Sequence, residues 1–409
     1  MLELAEARDR VLAAFVPLDT IEVKLNEASG LVTAETHRAP HALPRFDNSS
    51  MDGFAVRHAD VDGARPGSPA KLTLVGEVAA GGHGEVQINA GQAARLMTGA
   101  PIPPGADAVV PVEATESAGE SEVAILKTPI PGAFIREAGE DLRAGDVAVE
   151  GGEELGPGAI ALLAALGVSP IKAHCRPKVA LVTTGDELAP PEATDLEPAQ
   201  IRDSNSLALR LLAEEAGAEP ISIGPVPDER QAVVEALSRA AQGADLVVSS
   251  GGVSVGEYDF VRSAVEELGQ IEFWRVAMQP GKPVVSGYIG GTGFLGLPGN
   301  PVSIHVGFEQ FVRPAIRKLR GCRSLFRPVV TATLTETIRK TPGRLHLVRV
   351  KLTFDDRAIT ATPTGLQGSH IQSSLVGCDG LARFAKDASV AEAGSSIDVE
   401  VWRVPEVAV

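Results

Sequence analysis

The chain has 409 residues, of which 44% are hydrophobic, and its formal net charge at pH 7 is −16. A chain of this length predicts roughly two to four domains rather than one core. The acidic balance excludes a broad surface for nucleic acid or anionic membrane and leaves only a local basic pocket for a small anion. No apolar run approaches the roughly 18 residues of a membrane-spanning helix, and the N-terminus has no signal-peptide pattern.

The cysteines and histidines are dispersed along the chain. Cys175, Cys322 and Cys378 are odd in number and far apart, so they form neither a disulfide framework nor a zinc pattern. The eight histidines are also scattered. We therefore expect a reducing, cytoplasmic location and no transition metal held by His and Cys.

The first 176 residues change character twice. "MLELAEARDRVLAAF" predicts an amphipathic helix, and strands with a polar turn follow up to residue 45. Residues 46–145 are rich in Gly, Pro and short β-type runs, which is typical of a small β-rich domain. "LGPGAIALLAALGV" (155–168) predicts a helix with Pro157 near its start and Gly167 at its end.

From residue 177 strands and helices alternate, which predicts an α/β domain with a mostly parallel sheet. The predicted strands are "KVALVTTG", "AEPISIGPV", "ADLVVSS", "IEFWRVAM", "PVVSGYI" and "GFLGLPG". The predicted helices are "SNSLALRLLAEEAG" with a Ser/Asn start, "DERQAVVEALSRAA" capped by Asp228, "EYDFVRSAVEELG", and "NPVSIHVGFEQFVRPAIRKL" with Pro301 in its first turn. Residues 327–409 are rich in Thr and Val and predict a separate small β domain.

Four unusual loops follow the predicted strands. They are "TTGDEL" (183–188), "SSGGVSVGEYD" (249–259), "QPGKP" (279–283) and "LPGNP" (297–301). Ligands of open parallel α/β sheets bind beyond the carboxyl ends of the strands. We therefore expect these loops to meet at one edge of the sheet.

The glycine loop predicts an anion site. Gly251 and Gly252 permit positive φ and close backbone approach, and their N–H groups, with those of Val253 and Ser254, would form a nest for phosphate. The helix predicted to begin near Glu257 would add its positive end. The alternative is that the glycines only make a tight turn.

The acids around this loop indicate a hard cation. Asp259 favours the helix dipole but would repel a phosphate unless a cation such as Mg²⁺ lay between them. Asp228, at the start of the preceding helix, is a second candidate ligand. The alternative is that Glu257 and Asp259 merely favour the helix start. In "PGKP", the rigid prolines would present Lys282 to an oxyanion, although this segment and "PGNP" are also consistent with turns alone.

The combination of motifs resembles one family over nearly the whole chain. "FDNSSMDGFAVR", "MTGAPIPPGADAVV", "REAGEDLRAGD", "TTGDEL", "SSGGVSVGEYD", "PGKP" and "LPGNPVS" occur in the order found in the molybdopterin molybdenumtransferases. That family includes the bacterial molybdenum-insertion enzymes and the C-terminal domain of gephyrin. Taken alone, the stretches before residue 146 are more typical of solvated loops.

The resemblance implies the architecture and the reaction. The domains would be a split connecting domain (1–45 and 146–176), a β-rich domain (46–145), an α/β domain like the molybdopterin adenylyltransferases (177–326) and a C-terminal β domain (327–409). An elongated homodimer is implied, with each active site between the α/β and C-terminal domains of one subunit and the β-rich domain of the other. Adenylylated molybdopterin and molybdate would react with Mg²⁺, and AMP would be released.

The matching motif positions imply the site residues. The catalytic candidates are Asp52, Thr98, Arg136, Asp141, Glu187 and Lys282. The candidates for substrate binding are Ser250, Gly251, Gly252, Ser254, Pro298, Pro301, Arg344, Arg349 and Ser369. Asp228 and Asp259 are the candidates for Mg²⁺. The molybdopterin adenylyltransferase and apo-molybdoenzymes are further expected partners.

Two positions depart from some relatives, which carry lysines in the "FWRVAMQPGKP" segment. Arg275 keeps the charge with a different geometry, and Gln279 removes a charge, so the molybdate site would depend more on Lys282 and Arg344. Two other functions remain open from the sequence. One is molybdopterin adenylyltransferase activity, because the α/β domain is shared, and the other is a non-enzymatic pterin-binding carrier or scaffold.

Overall fold

The computed structural model describes residues 1–82, 86–253, 260–355 and 358–404. Contacts divide the chain into two compact units. The smaller unit consists of Thr36–Glu150 and Pro157–Pro170, and the larger unit consists of Met1–Glu35, Gly151–Gly156 and Ile171–Val409. This division does not test the four predicted domains, whose boundaries remain a prediction.

The helices lie close to the predicted segments, except for the four-residue α2, which was not predicted. They are α1 (Leu4–Ala13), α2 (His58–Val61), α3 (Pro157–Ala165), α4 (Ser204–Glu215), α5 (Arg230–Gly243), α6 (Phe260–Leu268), α7 (Pro301–Gly307) and α8 (Arg313–Leu319). The predicted helix start near Glu257 lies outside the described residues. Within the described ranges, every helix is too short or too polar to span a lipid bilayer.

The strands are short before residue 177 and longer after it. The first group is β1 (Thr20–Val23), β2 (Val32–Thr33), β3 (His37–Arg38), β4 (Asn48–Ser49), β5 (Gly53–Val56), β6 (Ala70–Val78), β7 (Gln92–Leu96), β8 (Ala108–Pro111), β9 (Thr115–Ser117), β10 (Glu122–Ile125), β11 (Ile135–Arg136), β12 (Val147–Val149) and β13 (Ile171–His174). The second group is β14 (Lys178–Thr184), β15 (Leu188–Ala189), β16 (Ile201–Arg202), β17 (Glu219–Val226), β18 (Leu246–Ser250), β19 (Gly269–Trp274), β20 (Met278–Gln279), β21 (Val285–Ile289) and β22 (Thr292–Leu297). The third group is β23 (Val329–Leu334), β24 (Ile338–Arg339), β25 (Leu345–Phe354), β26 (Ile359–Pro363), β27 (Gly380–Phe384), β28 (Val390–Ala391) and β29 (Ser396–Val401).

The larger unit contains the predicted α/β sheet. Its strand order is β17-β14-β18-β22-β21-β19. The pairings among β17, β14, β18 and β22 are parallel, and β21 is antiparallel to both of its neighbours. The prediction of a mostly parallel sheet is therefore confirmed, and the carboxyl ends of β14, β18 and β22 lie side by side at one edge.

Both faces of this sheet are covered by helices. On one face Leu181 packs in a cluster with Leu209 of α4 and with residues of α1, α7 and α8. On the other face Val182 packs with Leu237 of α5 and Val265 of α6. Successive residues of β14 point to opposite faces, so a near-continuous apolar strand fills both cores. Burial of one such side chain contributes roughly 1.5–3 kcal/mol.

One of two predicted helix starts is confirmed, since α4 begins at Ser204 and Asn205, and the cap predicted for the other is wrong. Asp203, the residue before α4, accepts hydrogen bonds from the N–H groups of Asn205 and Ser206 at 3.1 and 3.0 Å, so an aspartate caps this helix. Asp228 does not cap α5, because Glu229 occupies the N-cap position and makes no side-chain cap bond. The side chain of Asp228 therefore lies outside the helix start.

The long helix predicted from Pro301 is continuous but contains a π-helical segment. α7 begins at Pro301. Proline has no N–H, but the first residue of a helix needs none, because its N–H would have no partner within the helix. Phe308–Val312 form the π-helix that leads into α8. Pro314 lies in the first turn of α8 and has no N–H to donate to the preceding turn. The wider π turn accommodates this missing donor.

The stretch "IEFWRVAM" was predicted as one strand, and this prediction is wrong. Its first part belongs to β19 in the α/β sheet, whereas Met278 belongs to β20, which pairs with β25 in a different sheet. Between them Arg275 has a φ of +93°, in the left-handed region. The chain therefore turns after Trp274 and carries the "QPGKP" segment from one sheet to the other.

The predicted C-terminal β domain is a closed barrel. Strands pair in the order β25-β26-β23-β29-β27, and β27 pairs again with β25. Closure leaves no open edge within this ladder. Val348, Val350, Leu352 and Val399 fill its core. β20 adds a short parallel strand beside β25, next to the α/β sheet.

The smaller unit is β-rich, as predicted. Its six-stranded sheet has the order β8-β5-β7-β6-β10-β9, in which only the β6–β7 pairing among these described strands is parallel. Val56, Leu72, Val110 and Ile125 form its core. The separate ladder β11–β4 places Arg136 opposite Asn48.

Candidate functional site

A cleft of about 580 Å³ lies at the carboxyl edge of β14, β18 and β22 in the larger unit. All four loops predicted to meet there contribute to its lining, through Gly185, Gly251, Lys282 and Pro298 among others. The barrel contributes Arg344, just before β25, and the segment Gln367–Ser369. The volume is in the range of sites for small organic ligands.

The glycine turn after β18 forms one wall of the cleft. Gly251 and Gly252 have φ values of +92° and +65°, which only glycine adopts without strain. A Cβ on Gly252 would lie 2.5 Å from Cγ2 of Val261. The turn therefore requires glycine for both its backbone geometry and its packing against α6.

The predicted nest of N–H groups is only partly free. The N–H of Gly251 donates to the carbonyl oxygen of Leu297 at 3.0 Å, which contradicts its predicted role as an anion donor. Gly252 lines the cleft, and its N–H has no acceptor among the described residues, which leaves it as a candidate donor. Ser254 and Asp259 lie outside the described residues.

Two carboxylates line the cleft after β14 and β17. Glu187 packs beside Gly185, where an added Cβ would lie 2.6 Å from Oε2 of Glu187. Asp228 lines the same cleft, and its N–H donates to Oδ1 of Asp186 at 3.1 Å. This part of the cleft is acidic and offers hard oxygen ligands.

Cationic and hydroxyl groups line the barrel side of the cleft. Lys282 is exposed in the "QPGKP" segment, and Val276 donates its N–H to the carbonyl oxygen of Lys282 at 3.0 Å. Arg344 is half-buried, and its carbonyl oxygen accepts from Nζ of Lys340 at 3.0 Å. The carbonyl oxygen of Ser369 accepts from the N–H of Val302 at 3.1 Å, which ties the backbone at Ser369 to α7. These groups suit an oxyanion.

Comparison with known proteins identifies the family. The chain is 36% identical to a molybdopterin molybdenumtransferase of Haemophilus influenzae over 98% of both chains. The chain belongs to the molybdopterin molybdenumtransferase family. It is also 39% identical to molybdopterin molybdenumtransferase 2 of Mycobacterium tuberculosis H37Rv, over 93% of this chain and 94% of that one. The family consists of enzymes of molybdenum cofactor biosynthesis.

The regions of this family are matched in order along the chain. Residues 2–167 match the MoeA N-terminal region (domain I and II), residues 180–318 match a probable molybdopterin binding domain, and residues 331–402 match the MoeA C-terminal region (domain IV). A crystal structure of a molybdopterin biosynthesis MoeA protein from Pyrococcus horikosii superposes with a TM-score of 0.82. It is 32% identical and covers 99% of this chain and 100% of that one. The predicted family and fold class are confirmed.

Most of the residues predicted from the family resemblance in the larger unit meet in the cleft. These are Glu187, Asp228, Ser250, Gly251, Gly252, Lys282, Pro298, Arg344 and Ser369. Pro301 does not line the cleft but begins α7 beside Asn300, which does. Arg349 does not line it either, because its side chain is completely buried and donates to the backbone carbonyl oxygen of Gly368. Their functional roles are untested predictions.

The two family departures occupy different positions. Gln279 lines the cleft three residues before Lys282, so an uncharged amide is present where the family resemblance implies a lysine. Arg275 is not part of the lining, and its guanidinium lies 4.1 Å from the ring centroid of Trp274. Arg275 therefore does not replace the charge that Gln279 lacks.

The family residues of the smaller unit include one defined pair. Asp52 and Thr98 are exposed, and Oδ1 of Asp52 accepts hydrogen bonds from the N–H and the hydroxyl of Thr98 at 2.6 and 2.7 Å. The backbone hydrogen bond first and the hydroxyl bond second lower the pKa of Asp52. Arg136 and Asp141 are also exposed.

Sequence reasoning missed two residues that shape the cleft. Asn205 lines it and donates from Nδ2 to the carbonyl oxygen of Gly299 at 2.7 Å. Trp274 donates from Nε1 to the carbonyl oxygen of Val253. Asn205 could have been found from its position in the first turn of the predicted helix α4, where a side-chain amide can bond to neighbouring loops. Trp274 lies in an ordinary apolar run that gives no such signal.

Proposed function

We propose that the chain inserts molybdenum from molybdate into adenylylated molybdopterin, with Mg²⁺-dependent release of AMP. One observation carries the proposal: a single cleft has carboxylates (Glu187, Asp228) on its strand side and oxyanion donors (Lys282, Arg344, Ser369) on its barrel side. The cleft therefore offers separate environments for a metal-bound pyrophosphate and for molybdate.

The charges of the lining residues determine which part of the substrates each would bind. Lys282 and Arg344 would neutralise molybdate, and the hydroxyl of Ser369 would donate to one of its oxygens. The N–H of Gly252 would donate to the pyrophosphate. Glu187 would orient the water that cleaves the pyrophosphate bond, because it is an exposed carboxylate in the lining of the cleft.

The donors of the cleft fit Mg²⁺ rather than a softer metal. Glu187 and Asp228 supply carboxylate oxygens, which Mg²⁺ prefers, and no cluster of three or more His, Cys, Asp or Glu occurs in the described ranges. Mg²⁺ commonly uses one or two carboxylates, with phosphate oxygens and water as the other ligands. When bound it would neutralise the pyrophosphate and make AMP a better leaving group. Asp228 would hold it together with Asp259.

The proposal includes a homodimer in the cytoplasm. The family resemblance assigns Asp52, Thr98, Arg136 and Asp141 of one subunit to the active site of the other. The adenylyltransferase that makes the substrate and the apo-molybdoenzymes that receive the product would be transient partners. Sedimentation equilibrium tests the dimer directly, and a monomer at micromolar concentration would exclude it.

The test is AMP release from adenylylated molybdopterin by the purified protein in Mg²⁺, with and without molybdate. We expect release that depends on molybdate and a product that activates an apo-molybdoenzyme. Tight binding without molybdate-dependent release would instead indicate a carrier or scaffold, and ATP-dependent transfer of AMP to molybdopterin would indicate an adenylyltransferase. An Asp228→Asn variant should need a higher Mg²⁺ concentration for half-maximal release, whereas an unchanged requirement would exclude Asp228 as a ligand.

A further inference from the structure

The segment from Thr364 to Leu375 presents Gln367, Gly368 and Ser369 to the cleft but has little regular structure of its own. Its regular element is the 3₁₀ turn Gln372–Leu375. A loop without ladder hydrogen bonds needs other contacts to keep one conformation. We call residues 364–375 the Ser369 loop.

Arg349 supplies many of these contacts from behind. Its side chain is fully buried within β25. Nε donates to the hydroxyl of Ser374 at 3.1 Å, and Nη2 donates to the carbonyl oxygens of Leu366 and Gly368 at 3.3 and 3.2 Å. One planar guanidinium therefore binds the loop on both sides of Ser369.

The backbone of Arg349 is tied to the same loop. Its N–H donates to Oε1 of Gln367 at 2.9 Å, and Nε2 of Gln367 donates back to the carbonyl oxygen of Arg349 at 3.2 Å. Thr364 adds its own N–H to that carbonyl oxygen at 3.0 Å. Side chain and backbone of Arg349 together connect the loop to β25 of the barrel.

The charge of Arg349 is unusual for a residue with a purely stabilising role. Within the described residues it makes no ion pair, and burial lowers its pKa to about 10, so it stays protonated at neutral pH. Nη1 is buried without a hydrogen-bond partner in the same part of the chain. A buried guanidinium without a carboxylate is costly, and an apolar side chain would be the more stabilising choice. The hydrogen bonds of Arg349 to the Ser369 loop account for an arginine at this position.

We propose that Arg349 is a positioning residue that holds the Ser369 loop in the shape needed for oxyanion binding and does not itself contact the ligand. This inference rests on the proposed function of the cleft. The loop carbonyl oxygens are fixed by the guanidinium, and Ser369 is fixed from the other side by the N–H of Val302. The backbone that carries the Ser369 side chain is thereby held at two points, the carbonyl oxygens of Gly368 and Ser369.

A double-mutant cycle with Arg349→Lys and Ser369→Ala tests the inference. Lysine keeps the charge, but its single nitrogen cannot occupy the separate positions of Nε and Nη2 that donate to the loop. We expect Arg349→Lys to raise the KM for molybdate roughly tenfold, the effect of losing one or two hydrogen bonds, with a smaller change in kcat. Once Ser369 is alanine, Arg349→Lys should have little additional effect on this KM, because it acts through that hydroxyl. Effects that multiply in the double variant, or an unchanged KM in Arg349→Lys, would overturn the inference.

A second measurement does not depend on activity. Amide hydrogen exchange in peptides covering the Ser369 loop, measured on the free full-length protein, should be faster in Arg349→Lys than in the unaltered protein. Ser374→Ala removes one acceptor of Arg349 and also the hydroxyl's own hydrogen bond to the carbonyl oxygen of Ile371. It leaves both Nη2 bonds in place, so it should show a smaller increase in exchange and a smaller rise in KM, and it replaces Arg349→Lys in the test if that variant does not fold. Unchanged exchange in both variants would overturn the inference. Absence of molybdate-dependent AMP release by the unaltered protein would instead refute the proposed function, while the exchange comparison would still decide whether Arg349 orders the loop.

Discussion

The indole Nε1 of Trp274 donates a hydrogen bond to the carbonyl oxygen of Val253 at 3.0 Å. The indole ring also contacts two guanidinium groups, with Arg262 at 4.3 Å and Arg275 at 4.1 Å from the ring centroid. Trp274 ends β19, a strand at the edge of the sheet, whereas Val253 follows the glycine turn of the cleft. A residue outside the cleft thus holds one end of the loop proposed to bind pyrophosphate.

Trp274→Phe should weaken binding of adenylylated molybdopterin. Phenylalanine keeps a ring for the two arginines but loses the N–H that fixes Val253, and one such hydrogen bond contributes about 1 kcal/mol. We expect the Kd to rise roughly fivefold, measured by calorimetry without molybdate. Trp402→Phe is the matched control, because Trp402 does not line the cleft and its Nε1 has no partner among the described residues. Equal affinities of the two variants would show that the Trp274 bond does not order the loop.

Gly252→Ala should disrupt the glycine turn through two effects, the backbone strain of alanine at a positive φ and a steric clash of its Cβ. Alanine at φ +65° is strained, and its Cβ would also lie 2.5 Å from Val261. Gly63→Ala is the control, because Gly63 has a similar φ of +75° but nothing within 4 Å of an added Cβ. We expect both variants to lose stability to heat, and only Gly252→Ala to bind the nucleotide at least about tenfold more weakly. Normal nucleotide affinity in Gly252→Ala would remove the turn from the proposed site.

Much of the larger unit could be predicted from local patterns. The apolar strand "KVALVTTG" and the periodic helix after Ser204 are strong local signals, and the rule that ligands bind at strand carboxyl ends placed four loops at one cleft. The split of "IEFWRVAM" between two sheets could not be predicted, because it depends on the positive φ of Arg275. Such a conformation of a non-glycine residue is imposed by tertiary contacts.

The site residues were predicted by motif, but their contacts depend on pairing partners far along the chain. The N–H of Gly251 is used by Leu297, which is its neighbour only once β18 and β22 lie side by side. Arg349 was predicted to bind substrate, yet the structure places it behind the Ser369 loop. A sequence shows that an arginine is near a motif but not whether it faces the cleft or the core.

Thr98→Val should raise the pKa of Asp52. Valine removes the hydroxyl bond to Oδ1 and keeps the N–H bond, so the pKa should move only part of the way back toward its ordinary value. Carbon NMR of protein labelled at the aspartate carboxyl carbons measures this titration. Thr98→Ser, which keeps the hydroxyl, should retain the low pKa. If the valine and serine variants titrate alike, the hydroxyl does not contribute to the ionisation of Asp52.

His346 should make stability fall as the solution becomes acidic. It is buried, neither ring nitrogen has a partner in the described part of the chain, and its pKa is lowered to about 4 by burial and then by Arg349, Lys340 and Arg344. Because the folded pKa lies below the unfolded value of about 6.5, the neutral form is favoured in the fold. The contribution of neutral His346 to the free energy of unfolding is therefore complete above about pH 6.5 and is lost as the pH falls toward 4.

Urea unfolding of the unaltered protein and of His346→Leu measures this contribution. Between pH 7 and pH 4.5 the unaltered protein should lose roughly 2–3 kcal/mol more unfolding free energy than the variant does. Other groups titrate equally in both proteins, so the difference isolates His346. Parallel pH profiles would mean that the ring is hydrated or paired in solution.

The central claim is that the barrel side of the cleft binds molybdate, and the most direct test is the KM for molybdate in AMP release by Lys282→Ala. Lys282 is a cleft cation from the "QPGKP" segment, and Gln279 beside it supplies no second charge. Loss of a charge-assisted contact should raise this KM by roughly ten- to a hundredfold. Lys351→Ala, at an exposed position farther along β25, should leave the KM unchanged. An unchanged KM in Lys282→Ala would contradict the claim that molybdate binds in this cleft.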